Sequence, residues 1–153
     1  MGAGLFSDVF LISLIAGAVA AGVPLLLAGL GEQVSEKAGV LNIGIEGMML
    51  LGAYTGFVAA FYSGSLWLGF LAGAVGGLSV AALMALLCVL LRLNQIVIGI
   101  ALTLGVDGIT ALVHHVQFSR TYPRLPGVQT LPIPLLSDIP IIGRALFDRH
   151  PMV

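Results

Sequence analysis

Residues 31–51 read GEQVSEKAGVLNIGIEGMMLL, and this stretch decides the fold. It carries Glu32, Glu36 and Glu46, three of the seven acidic residues, together with Lys37, the only lysine. An apolar run long enough to cross the roughly 30 Å hydrocarbon core of a bilayer precedes it, and a second begins inside it. Glu46 lies within that second run. An ionisable side chain in such a place is costly, which makes it a site candidate by default.

Composition sets the class. Of 153 residues, 59% are hydrophobic and only 8% are charged. Soluble domains carry roughly 25% charged residues, so this chain has too few to build a water-facing surface. The expected fold is all-α and integral to the membrane: a polytopic transmembrane helix bundle with about four spans. A net charge of -1 offers no basic footprint for nucleic acid. The lone Cys88 excludes an internal disulfide framework. The 21 glycines favour close helix contacts in lipid.

Outward from the stretch, the spans are expected at about 9–30, 43–62, 66–91 and 96–113, all within one transmembrane domain covering 1–153. Ala18-Val19-Ala20 resembles a signal-peptidase site. No Lys or Arg precedes the run, however, and it continues to Leu30, so a span is the better reading. Pro24 is a candidate kink. Residues 31–41 are expected as a polar loop or a short amphipathic turn, since Val34, Ala38 and Leu41 recur at helical spacing. Asn42 is the expected N-cap of the second span. Ser63-Gly64-Ser65 is a tight connection, and Arg92, Asn94 and Gln95 form the next polar break. From 114 to 151 a long extramembrane loop holds six of the seven prolines and four arginines, with a short surface helix expected near Leu135–Phe147. Lys37 and Arg92 fall on one side of this layout and the loop arginines on the other. That count favours a cytoplasmic loop, although charge in long loops orients weakly.

Three groups of residues are candidates for function. Glu46, flanked by Gly44 and Gly47 and following Asn42, lies near a helix start, where the macrodipole favours a carboxylate. It either lines a substrate path or accepts hydrogen bonds from amides of its own loop. Thr103, Asp107 and Thr110 share one face of the fourth span with Gly99 and His114. Such a stripe points away from lipid, towards a water-filled path or another helix. Gly52 and Gly56, then Gly69, Gly73 and Gly77, follow small-xxx-small spacing and are helix-packing candidates. No metal-ligand set, P-loop or catalytic Ser/His/Asp arrangement is present in the sequence, so no enzyme activity is expected. Gating, binding and conduction remain.

The string GEQVSEKAGVLNIGIEGMMLLGAY resembles the signature of permease subunits of ATP-binding-cassette (ABC) importers for simple sugars and nucleosides, a group related to branched-chain amino acid permeases. Gly31, Glu32, Ser35, Glu36, Lys37, Ala38, Gly39, Val40, Asn42, Gly44, Glu46, Gly47, Met48 and Met49 fit its pattern. LRLNQIVIGIAL at 91–102 and LPIPLLSDIPIIGRALF at 131–147 are similar to further segments of the nucleoside branch. The resemblance implies a multi-pass subunit in the bacterial inner membrane working by alternating access. ATP would be bound by partner ATPase subunits and no cofactor by this chain. The other implied partners are a second permease subunit or a missing C-terminal half, an extracytoplasmic substrate-binding protein, and membrane lipid. It also implies that the chain is about the first half of a permease. The long loop would face outward, against the arginine count, leaving 31–41 and 92–95 cytoplasmic. Asn42, Glu46, Thr103, Asp107 and Thr110 become path or gate candidates. The alternatives are a self-standing channel or secondary transporter using Glu46 and Asp107, or a non-transporting remnant.

Overall fold

A computed structural model describes residues 8–119. The expected surface helix near 135–147 and most of the long loop lie outside these residues. Four α-helices follow one another: α1 Asp8–Lys37, α2 Ile45–Ser63, α3 Leu66–Ala85 and α4 Gln95–Phe118, with a π-helical turn at Leu86–Leu90 after α3. No strand occurs among the described residues. Each helix is long and apolar enough to cross a membrane: Ser13–Lys37, Ile45–Ser63, Leu66–Leu90 and Gln95–Phe118. The molecule is an all-α, multi-pass membrane protein.

The chain divides into two packing units. One contains α1 as far as Leu30, and the other begins at Gly31 and includes α2, α3 and α4. Helix α1 is long and apolar and runs through Pro24 without interruption.

Differences from the sequence reading have local causes. Residues 31–37, expected as a loop or a short amphipathic turn, are helical and form the continuous end of α1. Glu, Gln and Lys are good helix formers, and Lys37 in the last turn suits the negative end of the helix dipole. The stop comes at Gly39, whose φ of 83° is left-handed. The Gly39 amide donates to Glu36 O at 2.9 Å and the Val40 amide to Ser35 O at 2.9 Å. This is the paired bonding of a Schellman stop, which a glycine allows without a Cβ penalty. Gly64 ends α2 in the same region of φ, donating to Ala60 O at 2.9 Å.

Asn42 does not cap α2. The N-cap is Gly44, with no side-chain hydrogen bond. Asn94 caps α4 instead, its side chain accepting from the Ile96 and Val97 amides at 3.0 and 3.2 Å. Helix α4 also continues past 113 to Phe118, because His114 and Phe118 pack into an aromatic cluster with Tyr54, Phe57, Phe61 and Tyr62. Tyr54 Oη donates to Gln117 Oε1 at 3.0 Å, and Gln117 Nε2 donates to Tyr62 Oη at 3.2 Å. Rings with polar tips of this kind suit a membrane–water interface.

Helices α2 and α3 make the most extensive contact, through glycines. A Cβ at Gly52 or Gly56 would stand 3.1 Å from the Gly73 or Gly69 carbonyl oxygen. One at Gly69 would stand 2.7 Å from Ala60 Cβ, and one at Gly73 would stand 2.9 Å from Gly52 O. Gly77 is looser, with Met48 O at 3.3 Å. Gly76 is buried as well, and a side chain there would collide with the Thr55 hydroxyl. Thr55 Oγ1 lies 2.8 Å from Leu51 O in its own helix and 3.1 Å from Ala72 O across the interface. Only glycine lets this hydroxyl reach the neighbouring backbone.

Candidate functional site

The candidate site lies where the start of α2 meets the first half of α4. Gly44 and Gly47 face Gly99 and Thr103. A Cβ added at Gly99 would stand 2.9 Å from Ile43 Cβ and 3.0 Å from the Gly44 nitrogen. One at Gly47 would stand 3.1 Å from Thr103 Cα. Backbones this close leave no room for side chains at the crossing. The larger side chains are displaced to its rim, where they line a cavity of about 220 Å³. Its lining is Ile43, Glu46, Ile100, Thr103 and Leu104.

Glu46 is exposed and lies in the first turn of α2, where the helix dipole favours its charge. Thr103 faces it across the cavity. Its Oγ1 is buried and has no hydrogen-bond partner in the structure. Buried hydroxyls are normally satisfied, so this enclosed oxygen without a partner stands out. Asn42 lies just before the crossing. Its amide nitrogen Nδ2 contacts Met48 Sδ at 3.5 Å, and its Oδ1 is buried without a partner. Thr110 is buried too, but its hydroxyl donates to the Val106 and Asp107 carbonyls of its own helix at 2.7 and 3.1 Å. Asp107 is exposed and does not line the cavity. The structure therefore brings Glu46 and Thr103 together. It leaves Asp107 outside the cavity and gives Thr110 a local partner.

Sequence reasoning missed two side chains. Glu32 Oε1 accepts the Asn42 backbone N–H at 2.9 Å. This is the loop-bonding role that the sequence offered to Glu46. Gln95 Oε1 accepts the Leu41 N–H at 2.7 Å, and its Nε2 donates to Gly39 O at 3.4 Å. These bonds put the 39–42 segment and the 92–95 break at one end of the same packing unit. Nothing in the local sequence signals a contact across more than fifty residues. Gly99 was noted only as part of a polar stripe, yet it is the tightest point of the crossing. Among the described residues no three His, Cys, Asp or Glu side chains converge.

The family model for the "Branched-chain amino acid transport system / permease component" matches residues 14–130. The chain belongs to this permease family. It is 43% identical over 140 residues to the "Putative glucose ABC transporter permease protein TsgC13" of Haloferax volcanii, covering 90% of this chain and 42% of that relative. It is 31% identical over 133 residues to the guanosine ABC transporter permease protein NupQ of Bacillus subtilis. It is 32% identical over 133 residues to the nucleoside ABC transporter permease protein NupC of Lactococcus lactis. Each of these two matches covers 82% of this chain and 42% of the relative. The chain thus spans under half the length of the curated relatives it matches. Those relatives are transport permeases, not enzymes. No solved structure shows a significant match. The matched region of the permease family contains the whole α2–α4 crossing.

Proposed function

We propose that the chain supplies four spans of one permease domain in an ABC importer and lines part of the translocation pathway for a sugar or nucleoside. The observation that carries this reading is the α2–α4 crossing. A glycine-only contact sets a carboxylate and an unpartnered hydroxyl around a cavity, inside a region matched by the permease family. A hydroxylated solute offers donors for Glu46 and both donors and acceptors for Thr103. At about 220 Å³ the cavity is smaller than the roughly 300–1,000 Å³ of ligand pockets, so it serves as one wall or constriction of a larger path. Glu46 and Thr103 are the path residues on this reading. Asn42 stands beside them, and Asp107 and Thr110 are reached only if the path extends along α4.

The chain itself carries out no chemistry. ATP binding and hydrolysis on ATPase subunits shift the bundle between inward-open and outward-open states, which moves a solute only if the two states bind it differently. A further permease portion and an extracytoplasmic substrate-binding protein complete the assembly. The protein sits in the plasma membrane, the inner one in bacteria. Residues 31–41 and 92–95 face the cytoplasm, and the aromatic end of α4 faces outward.

Uptake of labelled nucleoside and glucose into energised vesicles tests this. In the complete permease, Glu46→Gln is expected to lower ATP-dependent uptake severalfold at unchanged protein level. Asp107→Asn is expected to leave it within about twofold. Uptake that survives ATP depletion but collapses with the proton gradient would contradict the ABC reading.

A further inference from the structure

We propose that Glu32 and Gln95 are positioning residues: two side-chain latches that hold the linker between α1 and α2 and so seat the start of α2 on α4. The inference does not rest on the transport reading, although the seat it concerns is the one that carries Glu46 and Thr103.

Backbone bonding of the linker stops at Val40, whose amide reaches Ser35 O, and resumes at Met48, whose amide reaches Gly44 O. Between these points, the amides of Leu41 and Asn42 donate to side chains. Leu41 N–H meets Gln95 Oε1 on α4 at 2.7 Å, and Asn42 N–H meets Glu32 Oε1 on α1 at 2.9 Å. Consecutive amides are thus held by different helices, α1 and α4. The bonds are short, and the Gln95 amide is oriented by its second bond to Gly39 O.

The seat downstream has no slack. The Gly44 nitrogen and the Ile43 Cβ lie at 3.0 and 2.9 Å from where a Gly99 side chain would begin. Packing of that kind loses about a quarter to a half of its dispersion energy when a gap of roughly 0.5–1 Å opens. Gln95 is also well placed to act as a fixed point. It is the first residue of α4, directly after the Asn94 cap that anchors that helix end. Glu32 is a costlier anchor. Its Oε2 is buried with no partner, so the carboxylate is desolvated for the sake of one backbone bond. An acceptor oxygen at each position is what the geometry requires; the charge on Glu32 is not.

That distinction gives the test. Hydrogen exchange resolved to single amides is measured on the permease in lipid nanodiscs. Gln95→Leu should speed exchange at Leu41 about three- to tenfold, and Glu32→Leu should do the same at Asn42, as expected for one lost hydrogen bond. Gln95→Glu and Glu32→Gln keep an acceptor oxygen and should stay within about twofold of the unsubstituted protein. The Ile96 and Val97 amides, held by Asn94, report that α4 is intact in every variant. Unchanged rates in the leucine variants would overturn the proposal, as would conservative variants as fast as the leucine ones. If the leucine variants do not fold, the unsubstituted protein still decides. Leu41 and Asn42 amides exchanging at free-peptide rates would overturn it, and protection of tenfold or more together with rescue by the conservative variants would support it.

Discussion

Thr103 and Thr110 lie on one face of α4, yet their hydroxyls have opposite fates. Thr110 spends its proton on the carbonyls of its own helix, and Thr103 has no partner. Replacing Thr110 with Val removes a bond that the helix does not need, so stability should change by less than about 1 kcal/mol. Thr103→Val removes a buried polar atom that nothing satisfies. It should leave stability equal or raise it by about 1 kcal/mol while lowering uptake severalfold. Reversible unfolding in mixed detergent, with uptake in parallel, checks both. The glycines permit a second contrast. Gly99→Ala places a methyl within 3.0 Å of the α2 backbone and should cost about 1–3 kcal/mol. At Gly108 a Cβ meets nothing within 4 Å, so Gly108→Ala should gain up to about 1 kcal/mol from helix propensity. At this scale the sequence marked Glu46 and Thr103 through their polarity in apolar runs. It did not mark Glu32 or Gln95, because their partners are backbone amides, which no residue type announces.

At the scale of elements, two asparagines stand ahead of two helices and only one caps. Asn94 satisfies two amides of α4. Asn42 lies ahead of the Gly44 cap, with its own amide bonded to Glu32. Asn94→Ala should destabilise the start of α4 by about 1 kcal/mol and speed exchange at Ile96 and Val97. Asn42→Ala should leave the α2 amides at their original rates. The four spans were legible because apolar length alone distinguishes a membrane helix. Their ends were less so. Hydropathy places the end of the first span at Leu30, but the helix runs on to the Schellman stop at Gly39. The Lys-Ala-Gly sequence there was the available signal, and it outweighs the polarity of the preceding residues. The end of α4 was misplaced for a related reason. Hydropathy ends the span at 113 and puts Gln117 in the loop, whereas His114, on the polar face of the span, and Gln117 both join an aromatic interface cluster.

For the whole molecule, the small-residue contacts between α2 and α3 and between α2 and α4 make α2 the centre of its packing unit. Many large apolar side chains remain exposed, Val116 at 77% among them, as befits lipid or further helices. A crossing built from backbone contact resists gradual deformation, since packed interfaces shift between discrete arrangements. The central proposal is that the cavity beside this crossing belongs to a path opened and closed by ATPase subunits. It is tested most directly by labelling Thr103→Cys with a small water-soluble thiol reagent, in a Cys88→Ala background, within the complete transporter. The account predicts a labelling rate that differs at least fivefold between the nucleotide-free and ATP-trapped states, while Val116→Cys stays constant. Equal rates at Thr103→Cys in both states would contradict it.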